Sequence, residues 1–260
     1  MRPARLHYEH SDLDDGPVLV FGGSLGTTLA MWDPQMARLA GRHRILRYDH
    51  RGHGGSPALP GPYAIEDLAG DVLDLLDGLG IERASYCGLS LGGMLGMWLA
   101  ANAPERIERV ILLCTSAHLP PPAAYRDRAA AVRAAGTPEV VADAVLARWL
   151  TPAWAQENPG PVAWLRAMFS QVTAEGYAGC CEAIAALDLR AELERISAPT
   201  LVVAGAEDPA TPPVHAELIA AAIRGARLVV LERAAHLASV ERADAVTDLI
   251  ADHLDPQERR

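Results

Sequence analysis

The stretch from Ala84 to Ala101 constrains the fold more than any other part of this sequence. It begins with a short apolar run, passes through the sequence G-L-S-L-G at positions 88–92, and continues as an apolar run of helix-forming residues. A strand, a sharp turn and a helix form the context in which Gly-x-Ser-x-Gly lifts a serine hydroxyl clear of a sheet. The flanking glycines are needed because a Cβ at either position would meet the neighbouring backbone. The pattern predicts that Ser90 is a nucleophile at the start of a helix.

The segments on either side of this stretch alternate between two hydrophobic patterns. Short continuous apolar runs are typical of strands buried on both faces of a parallel sheet, whereas apolar residues at helical spacing are typical of the helices that cover it. Strands are predicted at 5–10 (an edge strand), 18–21, 44–48, 84–87, 110–114, 200–204 and 228–231, and helices at 32–39, 65–79, 91–101, 214–223 and 243–254. This order predicts an α/β fold, with a mostly parallel sheet and helices on both faces.

The alternation is interrupted between residues 117 and 190. This segment is rich in Ala, Arg, Trp and Pro and contains no convincing strand, so it predicts several short helices. We interpret it as a helical cap inserted over one edge of the sheet, with 1–116 and 191–260 forming the core. Composition also predicts a turn from Asp12 to Gly16 and a frayed tail from Pro256 to Arg260.

A serine hydroxyl becomes an effective nucleophile when a base removes its proton and an acid orients that base. In this strand-turn-helix context the acid follows the serine in the chain, and a histidine follows the acid. Asp208 comes after the strand predicted at 200–204, and active sites of parallel sheets form at such carboxyl ends. We prefer Asp208 to the adjacent Glu207 because its Asp-Pro sequence fixes a turn and a shorter acid suits a rigid orienting role. Taken alone, an aspartate at this point is also typical of a turn before a helix.

The predicted base is His236, in the loop after the last predicted strand. From this loop a side chain reaches across the top of the sheet toward Ser90. A single loop histidine is most often a surface residue, but the position of His236 after serine and acid favours the catalytic interpretation. His215 opens a helix and His253 lies near the chain end, so both are poorer alternatives.

An oxyanion formed at the substrate carbonyl needs two fixed N–H groups. One is predicted to be Leu91, the residue after the nucleophile. The other is predicted at Ser24 or Leu25, in the loop after the first buried strand. The two glycines that precede Ser24 let this backbone approach the site, although they are also typical of any tight turn.

Composition excludes several other classes of protein. The 260 residues carry a net charge of −10, which argues against nucleic acid or an anionic membrane as the main partner. The 23 basic residues are all arginine, so a Schiff-base lysine, a pyridoxal phosphate site and a P-loop lysine are excluded. The four cysteines show neither disulfide nor zinc spacing, and no apolar run has the length of a membrane span. With no apolar signal core at the N-terminus, we expect a soluble cytoplasmic protein.

Two motifs resemble the α/β-hydrolase family: G-L-S-L-G-G at 88–93 and D-H-R-G-H-G at 49–54. The resemblance covers essentially the whole chain. More narrowly, the chain is similar to the 3-oxoadipate enol-lactonases of the β-ketoadipate pathway. The pieces that carry this likeness are SLGT at 24–27, MWDPQ at 31–35, YCGLSLGG at 86–93, APERI at 103–107, CTSA at 114–117, RW at 148–149 with TP at 151–152, CCEAI at 180–184, DPATPP at 208–213 and AAHL at 234–237.

The resemblance implies an enzyme that hydrolyses 3-oxoadipate enol-lactone to 3-oxoadipate. Ser90 would open the ring as an acyl-enzyme, and His236 would then activate water. The family reaction requires no metal or organic cofactor, and the only expected partner is a small-molecule lactone or ester.

This substrate carries a free carboxylate, and arginine is the only fixed cation that the sequence offers to bind it. The predicted cap contains Arg126, Arg128, Arg133, Arg148 and Arg166. We expect most of them to be solvated, and we favour Arg133 and Arg148 because each lies among apolar residues. Trp149 and Trp154 are candidate walls for the flat ring, although either is also consistent with a place in the core of the cap.

Several alternatives stay open at this point. Another carboxylesterase, another lactonase or a cofactor-free perhydrolase would share the same motifs, because the cap sets substrate choice. A binding protein that uses the pocket as a receptor is disfavoured by the intact set of Ser90, Asp208 and His236. A haloalkane dehalogenase is disfavoured because its nucleophile is an aspartate. The sequence leaves the oligomeric state open.

Overall fold

The structure is a computed structural model of the chain that describes residues 4–11 and 16–255. Seven strands in this part of the chain form one sheet. They are β1 (Tyr8–His10), β2 (Val18–Gly22), β3 (Arg44–Tyr48), β4 (Ala84–Leu89), β5 (Ile107–Leu113), β6 (Thr200–Gly205) and β7 (Arg227–Leu231). Their order in the sheet is β1-β3-β2-β4-β5-β6-β7.

The sheet is parallel except at one edge. Strand β1 pairs antiparallel with β3, whereas every other neighbouring pair is parallel. The central strand β4 pairs with β2 on one side and β5 on the other, and all its residues are buried. The prediction of a mostly parallel sheet with one edge strand is therefore confirmed, and the carboxyl end of β4 lies in the middle of the sheet.

Eleven α-helices connect these strands in the described part of the chain. They are α1 (Asp33–Leu39), α2 (Ile65–Gly78), α3 (Leu91–Asn102), α4 (Pro122–Ala135), α5 (Ala142–Leu146), α6 (Pro152–Glu157), α7 (Pro159–Phe169), α8 (Ala174–Ala186), α9 (Pro213–Ala222), α10 (Ala238–Glu241) and α11 (Ala243–Leu254). Helices α4–α8 all lie between β5 and β6, so the strand-free segment from 117 to 190 is helical as expected. Its role as a separate cap stays a prediction. None of the described helices combines the length and apolar character needed to span a membrane.

Boundaries differ from the expectation where charged residues lie inside a strand. Strand β5 begins at Ile107, three residues before the predicted start, because Glu108 and Arg109 sit in the strand without being buried. A search for continuous apolar runs detects only the buried part of such a strand. The predicted turn from 12 to 15 and the predicted tail from 256 to 260 lie outside the described residues.

A buried ion pair links the loop after β3 to helix α2. Arg51 and Asp71 are each only 1% exposed, and the Arg51 guanidinium donates to both carboxylate oxygens of Asp71, one of them at 2.8 Å. The same carboxylate accepts the backbone N–H of Ala4 at 2.7 Å. Asp71 therefore joins the N-terminal segment, the loop after β3 and α2.

Replacing Asp71 by asparagine is expected to lower the free energy of unfolding by about 3–5 kcal/mol, because the buried Arg51 guanidinium would lose the carboxylate to which it donates directly. Asp74→Asn is the matched control, since Asp74 is exposed on the same helix and its loss should cost no more than about 0.5 kcal/mol. Urea denaturation of both variants measures the difference. Equal stability of the two variants would contradict this account.

Candidate active site

Ser90 occupies a strained turn between β4 and α3. Its backbone has φ 56° and ψ −113°, a region that a residue with a side chain seldom adopts. Three hydrogen bonds hold it there. The Ser90 N–H donates to the Leu113 carbonyl at 2.9 Å, and the Ser90 carbonyl accepts from Met94 N–H at 2.9 Å and Thr115 Oγ1 at 2.7 Å. Because the surrounding structure fixes the strain, the serine side chain has a defined direction.

The glycines of this turn are required by space. A Cβ at Gly88 would lie 2.2 Å from the backbone of Gly92, and a Cβ at Gly92 would lie 2.2 Å from the carbonyl oxygen of Gly22. The Gly92 N–H also donates to the Gly23 carbonyl at 2.9 Å. The turn after β4 thus packs directly on the loop after β2.

Asp208 and His236 form a buried hydrogen-bonded pair at the carboxyl ends of β6 and β7. His236 Nδ1 lies 2.8 Å from Asp208 Oδ2, and the two residues are 4% and 3% exposed. Asp208 Oδ1 accepts the N–H groups of Ala210 at 2.7 Å and Thr211 at 3.1 Å, and Thr211 Oγ1 donates to Oδ2 at 2.7 Å. The aspartate is therefore held on both oxygens.

These contacts fix the charge of the aspartate. Burial raises the pKa of Asp208. The charge and hydrogen bond of His236, together with the hydrogen bonds from Thr211, lower this pKa by more than burial raises it. The net pKa lies below its ordinary value, so Asp208 is ionised at neutral pH. An ionised carboxylate requires the His236 proton on Nδ1, which leaves Nε2 free to act as a base.

Ser90 and His236 line the same cavity. Among the described residues, no hydrogen bond joins Ser90 Oγ to His236 Nε2, and such bonds often tighten only when substrate is bound. The cavity is lined by Ser24, Leu25, Ser90, Tyr125, Arg128, Val145, Arg148, Trp149, Tyr177, Ile184, Ala210 and His236. Its wall thus combines the sheet with the helical segment.

The alternative acid and bases have other surroundings. Glu207 is exposed, and His236 pairs with Asp208 instead. His215 Nδ1 is hydrogen-bonded to Ser116 Oγ at 2.8 Å, and His253 Nε2 donates to the Pro199 carbonyl at 3.1 Å. Neither histidine lines the cavity that contains Ser90.

The loop after β2 leaves one suitable N–H group. The Ser24 N–H donates to Met31 Sδ at 3.3 Å, which makes Ser24 the less favoured of the two predicted donors. In the described part of the chain, the N–H groups of Leu25 and Leu91 have no hydrogen-bond partner. Leu91 is the first residue of α3, where the N–H lacks an intrahelical acceptor. Leu25 and Leu91 are therefore the pair of donors that the geometry favours.

Arg133 does not reach the cavity, contrary to the expectation. Its guanidinium donates to Glu175 at 2.9 Å and 3.0 Å, and to Glu182 at 2.8 Å. These three residues line a different cavity beside residues 58–62. Two carboxylates already neutralise Arg133, so the structure gives no support to its predicted role as a substrate-binding residue.

Only one of the two predicted tryptophans lies at the cavity. Trp149 is 2% exposed, lines the wall and packs edge-on against Phe169 at 5.8 Å between ring centroids. Trp154 instead lines a separate cavity together with Glu207 and Arg233. Trp154 therefore does not line the cavity that contains Ser90.

Two arginines line the cavity, and sequence reasoning preferred only one of them. Arg148 lines it, and its guanidinium donates to the Ala144 carbonyl at 3.2 Å. Arg128 lines it as well, with its guanidinium carbon 4.9 Å from the centre of the Tyr125 ring. In the described ranges neither arginine has a carboxylate within ion-pair distance. The sequence signal that could have placed Arg128 at the cavity is its spacing from Tyr125, since residues three apart lie on the same face of a helix. The R-D-R sequence at 126–128 instead indicated a run of solvated charges.

Tyr177 is a further cavity residue that the sequence did not indicate. Its hydroxyl is buried and has no hydrogen-bond partner within the described residues, although the Arg128 guanidinium lies beside it. Burial also raises the pKa of Tyr125, and the charges of Arg128 and Arg148 partly oppose that rise. The cavity is thus lined by two cations, and the Tyr177 hydroxyl lies beside one of them.

The described residues contain no grouping of three or more His, Cys, Asp or Glu side chains suited to a metal ion. The polar groups that face the cavity are instead a serine, an oriented imidazole and two guanidinium groups. This arrangement is suited to acyl transfer on a substrate that carries a negative charge.

Comparisons with known proteins agree with this fold. A sequence profile for the alpha/beta hydrolase fold matches residues 16–157, and a profile described as TAP-like protein matches residues 166–259. The chain is 43% identical to 3-oxoadipate enol-lactonase 2 of Acinetobacter baylyi, over 92% of this chain and 89% of that protein. The solved enol-lactonase of Burkholderia xenovorans is 46% identical with a TM-score of 0.94, over 96% of both chains. A solved hydrolase from Pseudomonas aeruginosa is also 46% identical, with a TM-score of 0.93 over 96% of this chain and 94% of that one.

Proposed function

Because this chain belongs to the alpha/beta hydrolase family, we propose that it is a serine hydrolase that opens 3-oxoadipate enol-lactone to 3-oxoadipate. Two features of the same cavity carry the proposal. The oriented His236 shares a cavity with Ser90, and two arginines without ion-pair partners among the described residues line that cavity. The first feature supports acyl transfer and the second supports a carboxylate-bearing substrate.

The first half of the reaction forms an acyl-enzyme. His236 Nε2 accepts the proton of Ser90 Oγ as this oxygen attacks the lactone carbonyl carbon, and Asp208 stabilises the resulting imidazolium. The N–H groups of Leu25 and Leu91 donate to the oxyanion. When the ring C–O bond breaks, His236 returns the proton to the departing enol oxygen, and the opened chain stays esterified to Ser90.

The second half of the reaction releases the product. His236 Nε2 accepts a proton from water, whose oxygen attacks the ester carbonyl, and the same two N–H groups stabilise the second oxyanion. The proton then passes to Ser90 Oγ as the bond to the serine breaks. The enol of the released product converts to the ketone, which gives 3-oxoadipate without a cofactor.

The helical segment 117–190 sets substrate choice in this proposal. It supplies Arg128, Arg148 and Trp149 to the cavity, whereas the sheet and its loops supply the reacting groups. The protein as a whole is acidic, so long-range attraction does not help an anionic substrate. The two arginines therefore hold the side-chain carboxylate locally, and the indole of Trp149 packs on the flat ring.

The direct test is incubation of the purified protein with freshly generated enol-lactone, following the loss of its ultraviolet absorbance. We expect turnover that Ser90→Ala abolishes. p-Nitrophenyl acetate serves as a second substrate with no carboxylate. Hydrolysis of this ester without turnover of the lactone would contradict the proposed substrate and leave an esterase of other specificity.

Replacing Arg128 or Arg148 by methionine is expected to lower kcat/KM for the enol-lactone about ten- to a hundredfold, because a charge-assisted hydrogen bond contributes about 1.5–3 kcal/mol. Hydrolysis of p-nitrophenyl acetate should barely change. Arg126→Met is the matched control, because Arg126 is exposed on the same helix as Arg128 and does not line the cavity. The arginine assignment is wrong if neither variant alters the ratio of the two activities relative to this control.

A further inference from the structure

The loop after β3 contains a buried histidine that the reaction described above does not use. His53 is fully buried, and both of its ring nitrogens have partners in the backbone. Nδ1 lies 2.9 Å from the Arg51 carbonyl oxygen, and Nε2 lies 3.1 Å from the Gly26 nitrogen. Gly26 directly follows Leu25, whose N–H is a proposed donor to the oxyanion. The contact between Gly26 and His53 therefore bears on how the Leu25 N–H is held in place.

These two contacts define the protonation state of His53. A carbonyl oxygen only accepts, so Nδ1 carries the proton; a backbone N–H only donates, so Nε2 has a free lone pair. The ring is therefore neutral. Burial, and to a smaller extent the nearby His50, lower the pKa of His53 to about 3. The acceptor for the Gly26 N–H is thus present throughout the neutral range.

The peptide groups on both sides of the Leu25 N–H are also fixed. The Gly23 carbonyl accepts from His50 Nε2 at 2.9 Å and from the Gly92 N–H at 2.9 Å. The Ser24 carbonyl, which belongs to the same peptide group as the Leu25 N–H, accepts from the Thr27 N–H at 3.1 Å. The bond from Gly26 to His53 fixes the peptide group that follows Leu25.

The position of Gly26 makes the bond to His53 a further restraint on this loop. Gly26 has φ +90°, and a Cβ there would lie 2.7 Å from the Phe169 ring, so the position requires glycine. A glycine leaves the backbone free to rotate about φ and ψ. The hydrogen bond to His53 removes that freedom at the residue next to the oxyanion donor.

We propose that His53 is a positioning residue that fixes the direction of the Leu25 N–H toward the oxyanion, through its hydrogen bond with the Gly26 N–H. The inference rests on the proposed Ser90 chemistry but not on the identity of the lactone. It assigns a role to the D-H-R-G-H-G sequence at 49–54, since His50 and His53 each bind the backbone of the loop that carries Leu25.

Three substitutions separate the acceptor from the packing of the ring. His53→Gln places an amide oxygen near the position of Nε2 and restores an acceptor for the Gly26 N–H. His53→Asn reaches only the position of Nδ1, so it retains a donor for the Arg51 carbonyl but offers no acceptor to Gly26. His53→Leu removes both contacts while filling a similar volume.

The variants are compared by kcat and KM with p-nitrophenyl acetate, by the rate at which a phosphonate labels Ser90, and by Tm. A lost oxyanion donor costs on the order of 10²–10³ in turnover, so a misdirected donor should cost about ten- to a hundredfold. We expect this loss in kcat and in the labelling rate for His53→Asn and His53→Leu, with KM within about twofold. His53→Gln should recover most of it.

Two results would overturn the proposal. The first is wild-type kcat in His53→Asn or His53→Leu. The second is a loss in all three variants that follows the drop in Tm, which would indicate a purely structural role. The ester and the phosphonate need only Ser90 chemistry. If the wild type did not turn over the enol-lactone, the proposed substrate would be disproved, but the ester and phosphonate measurements would still decide the role of His53.

Discussion

Ser90→Ala is expected to lower kcat by on the order of 10⁶, the loss seen when the nucleophile of a serine protease is removed. The effect is this large because the base, the acid and the oxyanion donors all act on the oxygen of Ser90 and have no other group to activate. The fold should be retained, because a single hydroxyl is removed from a side chain at a cavity wall and no core volume is lost.

Covalent labelling provides the measurement that is independent of substrate. A serine-directed phosphonate should modify the wild type at Ser90, as located by mass spectrometry of the digested protein, and should leave Ser90→Ala unmodified. Ser170→Ala is the matched control, since Ser170 is exposed at the end of α7. Ser170 itself should be labelled neither in the wild type nor in Ser90→Ala. Modification of another serine, with Ser90 intact, would show that the nucleophile is misassigned.

Asp208→Asn is expected to lower kcat by about 10⁴, as the corresponding change does in a serine protease. The amide keeps an oxygen for the N–H groups of Ala210 and Thr211, so the loop should keep its shape. The amide nitrogen, however, would donate to His236 Nδ1 and move the imidazole proton to Nε2. The base would then present a proton to Ser90 where it needs a lone pair.

The control for this prediction is Glu207→Gln, which changes the neighbouring exposed acid. It should retain near wild-type turnover, because the hydrogen bond to His236 comes from Asp208. Both kcat values are measured with the enol-lactone and with p-nitrophenyl acetate, alongside Tm. Full activity in Asp208→Asn together with loss in Glu207→Gln would identify Glu207 as the orienting acid.

The order of strands and helices was readable from the sequence because it depends on local patterns. A continuous apolar run predicted β2 to within one residue, since a strand buried on both faces needs apolar side chains at successive positions. The same applies to Ser90, where the glycines that flank it are dictated by contacts within the turn and with the adjacent loop.

Asp208 and His236 could be singled out from the sequence because strand order limits where their side chains lie. Both follow strands whose carboxyl ends reach the same edge of the sheet as the end of β4. The 2.8 Å contact between the two side chains is consistent with the prediction that the acid orients the histidine. Their catalytic roles stay predictions until the variants are measured.

The sequence alone therefore determined the α/β architecture and the three residues proposed for the chemistry, while tertiary structure decided everything that depends on partners distant in the chain. Arg133 was excluded by Glu175 and Glu182, which are 42 and 49 residues away, and Arg128 was brought to the cavity by the packing of the helical segment. Likewise, the structure pairs the Ser24 N–H with Met31 Sδ and the Gly26 N–H with His53. Periodicity records which face of an element is buried, but the partner of a particular polar group depends on where separate segments meet.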